Sequence, residues 1–191
     1  MTPKPEIRDG FRFRGGQVPL DLTATVSGRL RGAPKDALAV PADLDRWLVA
    51  ADLVETSPGA TADDLAHARD LREAAYRAAM ALVEGRPMAD EDRTQLNACA
   101  AQPAAAPQLD RDGSLRLSGS VRDLLAVVAR EAVSLFGGDQ SGRIRQCEGP
   151  VCTVLFLDTS RNGGRRWCSM SACGNRAKVA EFRRREKDGD G

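Results

Sequence analysis

Four of the chain's five cysteines fall in one C-terminal stretch as two equally spaced pairs, Cys147 with Cys152 and Cys168 with Cys173. Each pair encloses four residues. No other feature constrains the fold as much, because a stretch of about 40 residues is too small to hold itself together by burial alone. It reads "RIRQCEGPVCTVLFLDTSRNGGRRWCSMSACGNRAKVAEFRRR". Cys147 and Cys152 flank a Gly-Pro turn, and "TVLFLDTS" is strand-like. "RNGG" has hairpin-turn chemistry, so "RRWCSM" is expected to return as the second strand. Cys168 then ends that strand, and Cys173 falls in the first turn of a helix begun near Ser171. A knuckle, a hairpin and a helix start can bring four sulfurs to one point.

Zinc, two disulfides and free thiols are the three chemistries open to such a cluster. No apolar run is long enough to cross a bilayer, and no signal-peptide core follows the polar start "MTPKPEIRDG". The expectation is therefore a cytoplasmic protein, where thiols stay reduced, and an odd number of cysteines also suits disulfides poorly. Zn²⁺ prefers four tetrahedral thiolates in closed structural sites. A helix N-terminus also lowers the cost of ionising Cys173. One structural Zn²⁺ on Cys147, Cys152, Cys168 and Cys173 is thus expected, with no open position for a catalytic water. The geometry resembles the treble-clef class of zinc fingers.

Residues 1–137 read as a separate, mainly helical body, with "FGGDQSG" marking the boundary to a basic module at 138–191. "FRFRGG" and the β-branched "VPLDLTATVSGRL" predict a short strand or an extended arm. Leu44, Trp47, Leu48 and Ala51 then recur at helical spacing. Thr61 and Asp64 have the spacing of a capping box, and an apolar face follows from Leu65 to Leu82, ending near Gly85. "MADEDRTQLNACAA" predicts a third helix, and Asp112-Gly113 predicts a small hairpin. Ser120 and Asp123 repeat the capping spacing before a fourth apolar face from Val121 to Leu135. The fold class expected is mainly α with a small β element, plus the finger.

The body holds no catalytic constellation. His67 is the only histidine and reads as an ordinary helical residue; Trp47 and Cys99 read as core. An enzyme is not expected.

"RRWCSMSACGNRAKV", with "FLDTSRN" and "CEGPVC" before it, resembles the CGNR zinc finger family, whose Cys-Gly-Asn-Arg stands here as Cys173 to Arg176. In that family the finger follows a mostly helical domain called ABATE, described as a stress-induced transcription regulator. "LDLTATVSGR" resembles the opening of that domain, and "DLDRWL" its first helix. Where the family has Val-Asn-Thr, this chain has Thr23, Ala24 and Thr25. The resemblance implies DNA binding through the finger. It leaves the body to sense a small-molecule effector or to pair two copies of the chain.

Charge supports a polyanionic partner. From residue 141 onward 11 Lys and Arg stand against 6 Asp and Glu, whereas the rest of the chain holds 17 against 21. Arg165, Arg166, Arg176, Lys178, Arg183, Arg184 and Arg185 are the candidate phosphate contacts, and Arg176 and Arg183 share a helix face. The alternative is a zinc-stabilised protein-interaction module, in which these arginines complement a helix C-terminus or an acidic protein surface.

Overall fold

The computed structural model describes residues 6–189, with side chains described through Arg183. Six helices and four two-stranded antiparallel hairpins make up these residues. In chain order they are β1 (Ile7–Arg8), β2 (Phe11–Arg12), α1 (Val18–Thr23), β3 (Val26–Ser27), β4 (Lys35–Asp36), α2 (Pro41–Ala50), α3 (Ala62–Val83), α4 (Asp90–Ala100), β5 (Ala106–Leu109), β6 (Leu115–Ser118), α5 (Val121–Gly137), β7 (Ile144–Gln146), β8 (Leu155–Leu157) and α6 (Asn175–Gly189). None of the helices is long and apolar enough to cross a membrane, among the described residues.

Helix α3 is the centre of the molecule and packs against α1, α2, α4 and α5. Its start is fixed as expected: the Asp64 amide donates to Thr61 Oγ1 and the Thr61 amide to Asp64 Oδ2, at 3.2 and 3.0 Å. Gly85 follows its C-terminus in the left-handed region, at φ 66°. The buried face is rich in alanine, with Ala68, Ala74, Ala75, Ala78 and Ala79, which favours the helix and lets its neighbours approach closely. Ser120 and Asp123 cap α5 in the same way, and Arg122 reaches from there to Asp64 at 2.8 Å. Leu44, Trp47 and Leu48 of α2 are in the core, and Asp112-Gly113 turns the β5–β6 hairpin.

The N-terminal region differs from its β-branched reading. Residues 18–23 form a short, nearly buried helix, and the strand is reduced to Val26–Ser27. Pro19 suits a first helical turn, where the missing amide has no partner to lose. Thr23 and Thr25 donate their hydroxyls back to Leu20 O and Leu22 O, both at 2.7 Å, so the β-branched residues close the helix end. Gly15 lies against it so closely that a Cβ there would stand 2.6 Å from that of Leu20.

Arginines fix the next hairpin. Arg72, buried on α3, grips the Asp36 carboxylate of β4 with both terminal nitrogens at 2.7 and 2.9 Å. Arg29 binds Glu73 in the same forked manner at 2.6 and 3.0 Å. The chain between β3 and β4 is thereby held to the body.

The last hairpin packs against the body on one face and the cysteines on the other. Ile144, Leu155 and Leu157 belong to the same core cluster as α3 and α5. Phe156, pointing the other way, packs with Cys147, Cys168, Cys173 and Ala24.

Asp21 is the one buried carboxylate on α1, and it accepts the Gly15 amide at 2.7 Å. Burial pushes its pKa up to about 7, against the opposing pull of the Gly15 amide and the Arg8 charge. The folded state therefore binds this proton more tightly than the unfolded chain. The stability Asp21 contributes is full below about pH 4 and is lost as pH rises through about 7. Asp21→Asn keeps an acceptor for Gly15, so denaturant titrations should show the wild type losing a few kcal/mol relative to the variant across that window. Parallel pH profiles would contradict this.

Candidate metal centre

The cysteine site is assembled by three local devices. The first is a tight turn after β7, where the Cys152 amide donates to Gly149 O at 2.9 Å. A Cβ at Gly149 would stand 3.1 Å from Cys152 Cβ and 3.4 Å from Cys173 Sγ, so this position sits directly against the sulfurs. The second is the loop after β8. Asp158, fully buried, accepts the amides of Ser160 and Arg165, both at 2.9 Å, and turns "RNGG" back toward the knuckle. The third is a π-helical turn, Met170–Gly174, that leads into α6 and is capped by Ser169 Oγ accepting the Ala172 amide at 3.2 Å.

The hairpin is not the one the sequence predicts. Strand β8 pairs with Ile144–Gln146, and "RRWCSM" runs irregularly beside it. All three residues of β8 are buried, because one face meets the body and the other the cysteines. The strand that carries Ile144 into the core suits such a position. The segment bearing Cys168 must instead turn its sulfur inward, joined to the knuckle by the Glu148 amide donating to Arg166 O at 2.9 Å.

The sulfurs of Cys147, Cys152, Cys168 and Cys173 all lie within 4.8 Å of one another. Tetrahedral Zn–S bonds of about 2.3 Å require sulfurs about 3.8 Å apart. Cys152 and Cys168 are separated by 3.8 Å, and so are Cys168 and Cys173. The donor set fits Zn²⁺. Without a cation the thiols oppose one another's ionisation. Hydrogen bonds from Cys152 and Cys168 hold Cys147 far below the usual thiol range, while hydrogen bonding to Cys147 pushes Cys152 up to about 11 and Cys168 higher still. A dication resolves this conflict by accepting all four as thiolates. Cys99 takes no part; it is buried between α3 and α4, with His67 Nε2 at 3.7 Å.

Outer contacts orient the ligands. The Cys168 amide donates to Cys147 Sγ at 3.3 Å, and Arg176 Nη2 donates to Cys173 Sγ at 3.2 Å. The Arg165 guanidinium lies 4.6 Å over the Phe156 ring and donates to the carbonyls of Trp167 and Cys168. Ser169 Oγ donates to Glu6 at 2.7 Å, tying the site to the N-terminal arm. Sequence reasoning placed Asp158 in the strand-like run and missed its role in the turn, and Glu6 lies 163 positions from Ser169, where no local pattern marks it.

The seven basic candidates separate. Arg165 is spent on backbone carbonyls, and Arg166 pairs with Glu148 at 2.6 Å. Arg176 serves a sulfur. Lys178 and Arg183 are exposed on α6. Arg184 and Arg185 lie on the helical backbone, but their side chains fall outside the described residues.

These features define a structural zinc finger of four cysteines at the end of a mainly helical body. Residues 16–139 match the family model for ABATE, described as "Putative stress-induced transcription regulator", and residues 143–186 match that for the CGNR zinc finger. The chain belongs to the ABATE family and carries a CGNR finger. A search of the curated proteins finds no match.

Protein purified under reducing conditions should carry one zinc equivalent by elemental analysis, and Cys168→Ser should lose it. Arg176→Ala should keep the stoichiometry with affinity weaker by about 10–100-fold in a chelator competition, the range for lost outer contacts. A metal-free wild type whose finger resists proteolysis would contradict the assignment.

Proposed function

We propose that the protein is a non-enzymatic, cytoplasmic transcription regulator that binds duplex DNA through α6, with the division at residue 138 separating a sensing or dimerising body from the DNA-contacting finger. The observation that carries this reading is the exposure of α6 beyond the metal site. Every described side chain from Lys178 to Arg183 is exposed, on a helix whose start is fixed by Cys173. A helix of 15 residues is about 22 Å long and fits a major groove. Lys178, Arg183, Arg184 and Arg185 are the proposed phosphate contacts, with Arg176 at the inner end of the Arg183 face. Arg165 and Arg166 contribute to the local field from positions already bonded within the finger.

A second reading rests on the same helix. Val179 and Phe182 are 49% and 63% exposed, an apolar pair that suits a protein partner better than a phosphate backbone.

The two readings separate in a salt titration. If α6 binds DNA, Arg183, Arg184 and Arg185 together replaced by Ala should weaken binding to all sequences alike. Each lost contact should also flatten the log–log salt dependence by about 0.9. Absence of duplex affinity at low salt in zinc-loaded wild type would reject the DNA reading.

A further inference from the structure

A recess of about 180 Å³ lies where the N-terminal hairpins meet the finger. Five cationic side chains line it: Arg12, Arg14, Arg31, Lys35 and Arg176. No carboxylate is among the described residues that form its wall. The remaining surface includes Ser27 from the body, Val151 from the finger knuckle and two of the metal ligands, Cys152 and Cys173.

This concentration of charge contrasts with the rest of the molecule. Arg29, Arg46, Arg72 and Arg77 all face carboxylates at 2.6–2.7 Å. Within the recess, Arg14 has Glu6 at 3.2 Å and Arg176 has the Cys173 sulfur. Arg12, Arg31 and Lys35 have no ion pair among the described residues. Like charges gathered round one cavity repel, and only Arg14 and Arg176 have a counter-charge within reach.

The zinc centre does not account for all of this charge. Four thiolates on Zn²⁺ carry a net charge of about −2. With that and the Glu6 carboxylate set against five cations, the recess remains positive by about two charges. The backbone that carries two of these cations is held in place. Arg31 and Lys35 sit on the segment that the Arg72–Asp36 and Arg29–Glu73 forks hold against α3, and Arg176 is oriented by its sulfur.

We propose that the recess binds a small, multiply charged oxyanion of the phosphate class, either free phosphate or the terminal phosphate of a small ester. Arg12, Arg31 and Lys35 grip it from the body and Arg176 from the finger. The volume lies below the roughly 300 Å³ at which pockets for drug-sized ligands begin, which suits one compact anion. Charge-assisted bonds from guanidinium groups match its oxygens. The occupant would bridge the two parts of the molecule and touch the arginine that also holds a metal ligand. Anion binding would then stiffen the finger against the body. The same chemistry is offered by a phosphate of a DNA backbone. The recess, however, is walled on both sides by the β3–β4 segment and the knuckle, whereas the exposed row on α6 runs on beyond Arg176. The small anion is therefore the better fit, and this site stands whether or not α6 binds DNA.

The test uses the zinc-loaded full chain, with inorganic phosphate replacing chloride at constant ionic strength. Thermal unfolding and calorimetric titration are read together. The wild type should gain several degrees, saturably, as expected for a ligand of the native state. The double variant Arg31→Ala, Lys35→Ala should lose at least tenfold in phosphate affinity, with zinc content and duplex-DNA affinity unchanged. Arg31→Lys should retain more affinity than Arg31→Ala. If the double variant fails to fold, Arg12→Ala gives the same comparison from the other hairpin. An equal response of wild type and variant to phosphate, or no saturable response, would overturn the site. So would a variant that loses DNA affinity while free phosphate never binds, because the recess would then be a contact for the nucleic-acid backbone.

Discussion

A three-residue strand holds the molecule together. Leu155 and Leu157 of β8 enter the core built by α3 and α5, while Phe156 between them faces the cysteines. Alternation along a strand sends neighbouring side chains to opposite faces, so one short element can serve two cores only if both faces are apolar. The other contacts follow from that placement. The Phe156 ring supports Arg165, whose guanidinium holds the carbonyls of Trp167 and Cys168 and so positions one ligand. The Leu157 amide donates to Gly15 O at 2.8 Å, which registers the N-terminal arm on the finger. The arm returns the contact through Glu6 and Ser169.

The elements legible in the sequence were those whose signals are local. Thr61 with Asp64 and Ser120 with Asp123 announced two helix starts because a capping box is complete within four residues. The metal ligands were legible because four cysteines in so small a segment have few other uses, and the structure gathers all four. Two elements depart from their local signals, each for its own reason. The β-branched run at 18–27 looked like strand, yet Pro19 and the back-bonding Thr23 and Thr25 made most of it helix. Turn chemistry at Asn162-Gly163 indicated a hairpin, yet β8 took Ile144–Gln146 as its partner because the body required a strand buried on both sides. In the first case local chemistry outweighed β propensity, and in the second tertiary burial overrode a local preference.

Arginine does much of the work that a larger apolar core would do elsewhere. Arg72 and Arg29 fasten one hairpin to α3, Arg122 joins the starts of two helices, and Arg165 and Arg176 brace the metal ligands. A guanidinium can do this because it stays charged and presents its donors in a rigid fork. Cations left without such a task are therefore informative. Besides Arg111 and Arg161, which stand singly, they gather in two places among the described residues, on the exposed side of α6 and round the recess between hairpins and finger. The first supports the proposed contact with DNA and the second the proposed anion site.

The zinc centre and the helical body are coupled through β8, whose two faces serve both. Native-state hydrogen exchange, with and without a zinc chelator, tests this most directly. Removing the metal should speed exchange across residues 147–176, the Leu157 amide on Gly15 O included, while central α3 amides stay protected. If Leu157 and its β7 partners keep their full protection after chelation, the body holds β8 alone and the coupling is refuted.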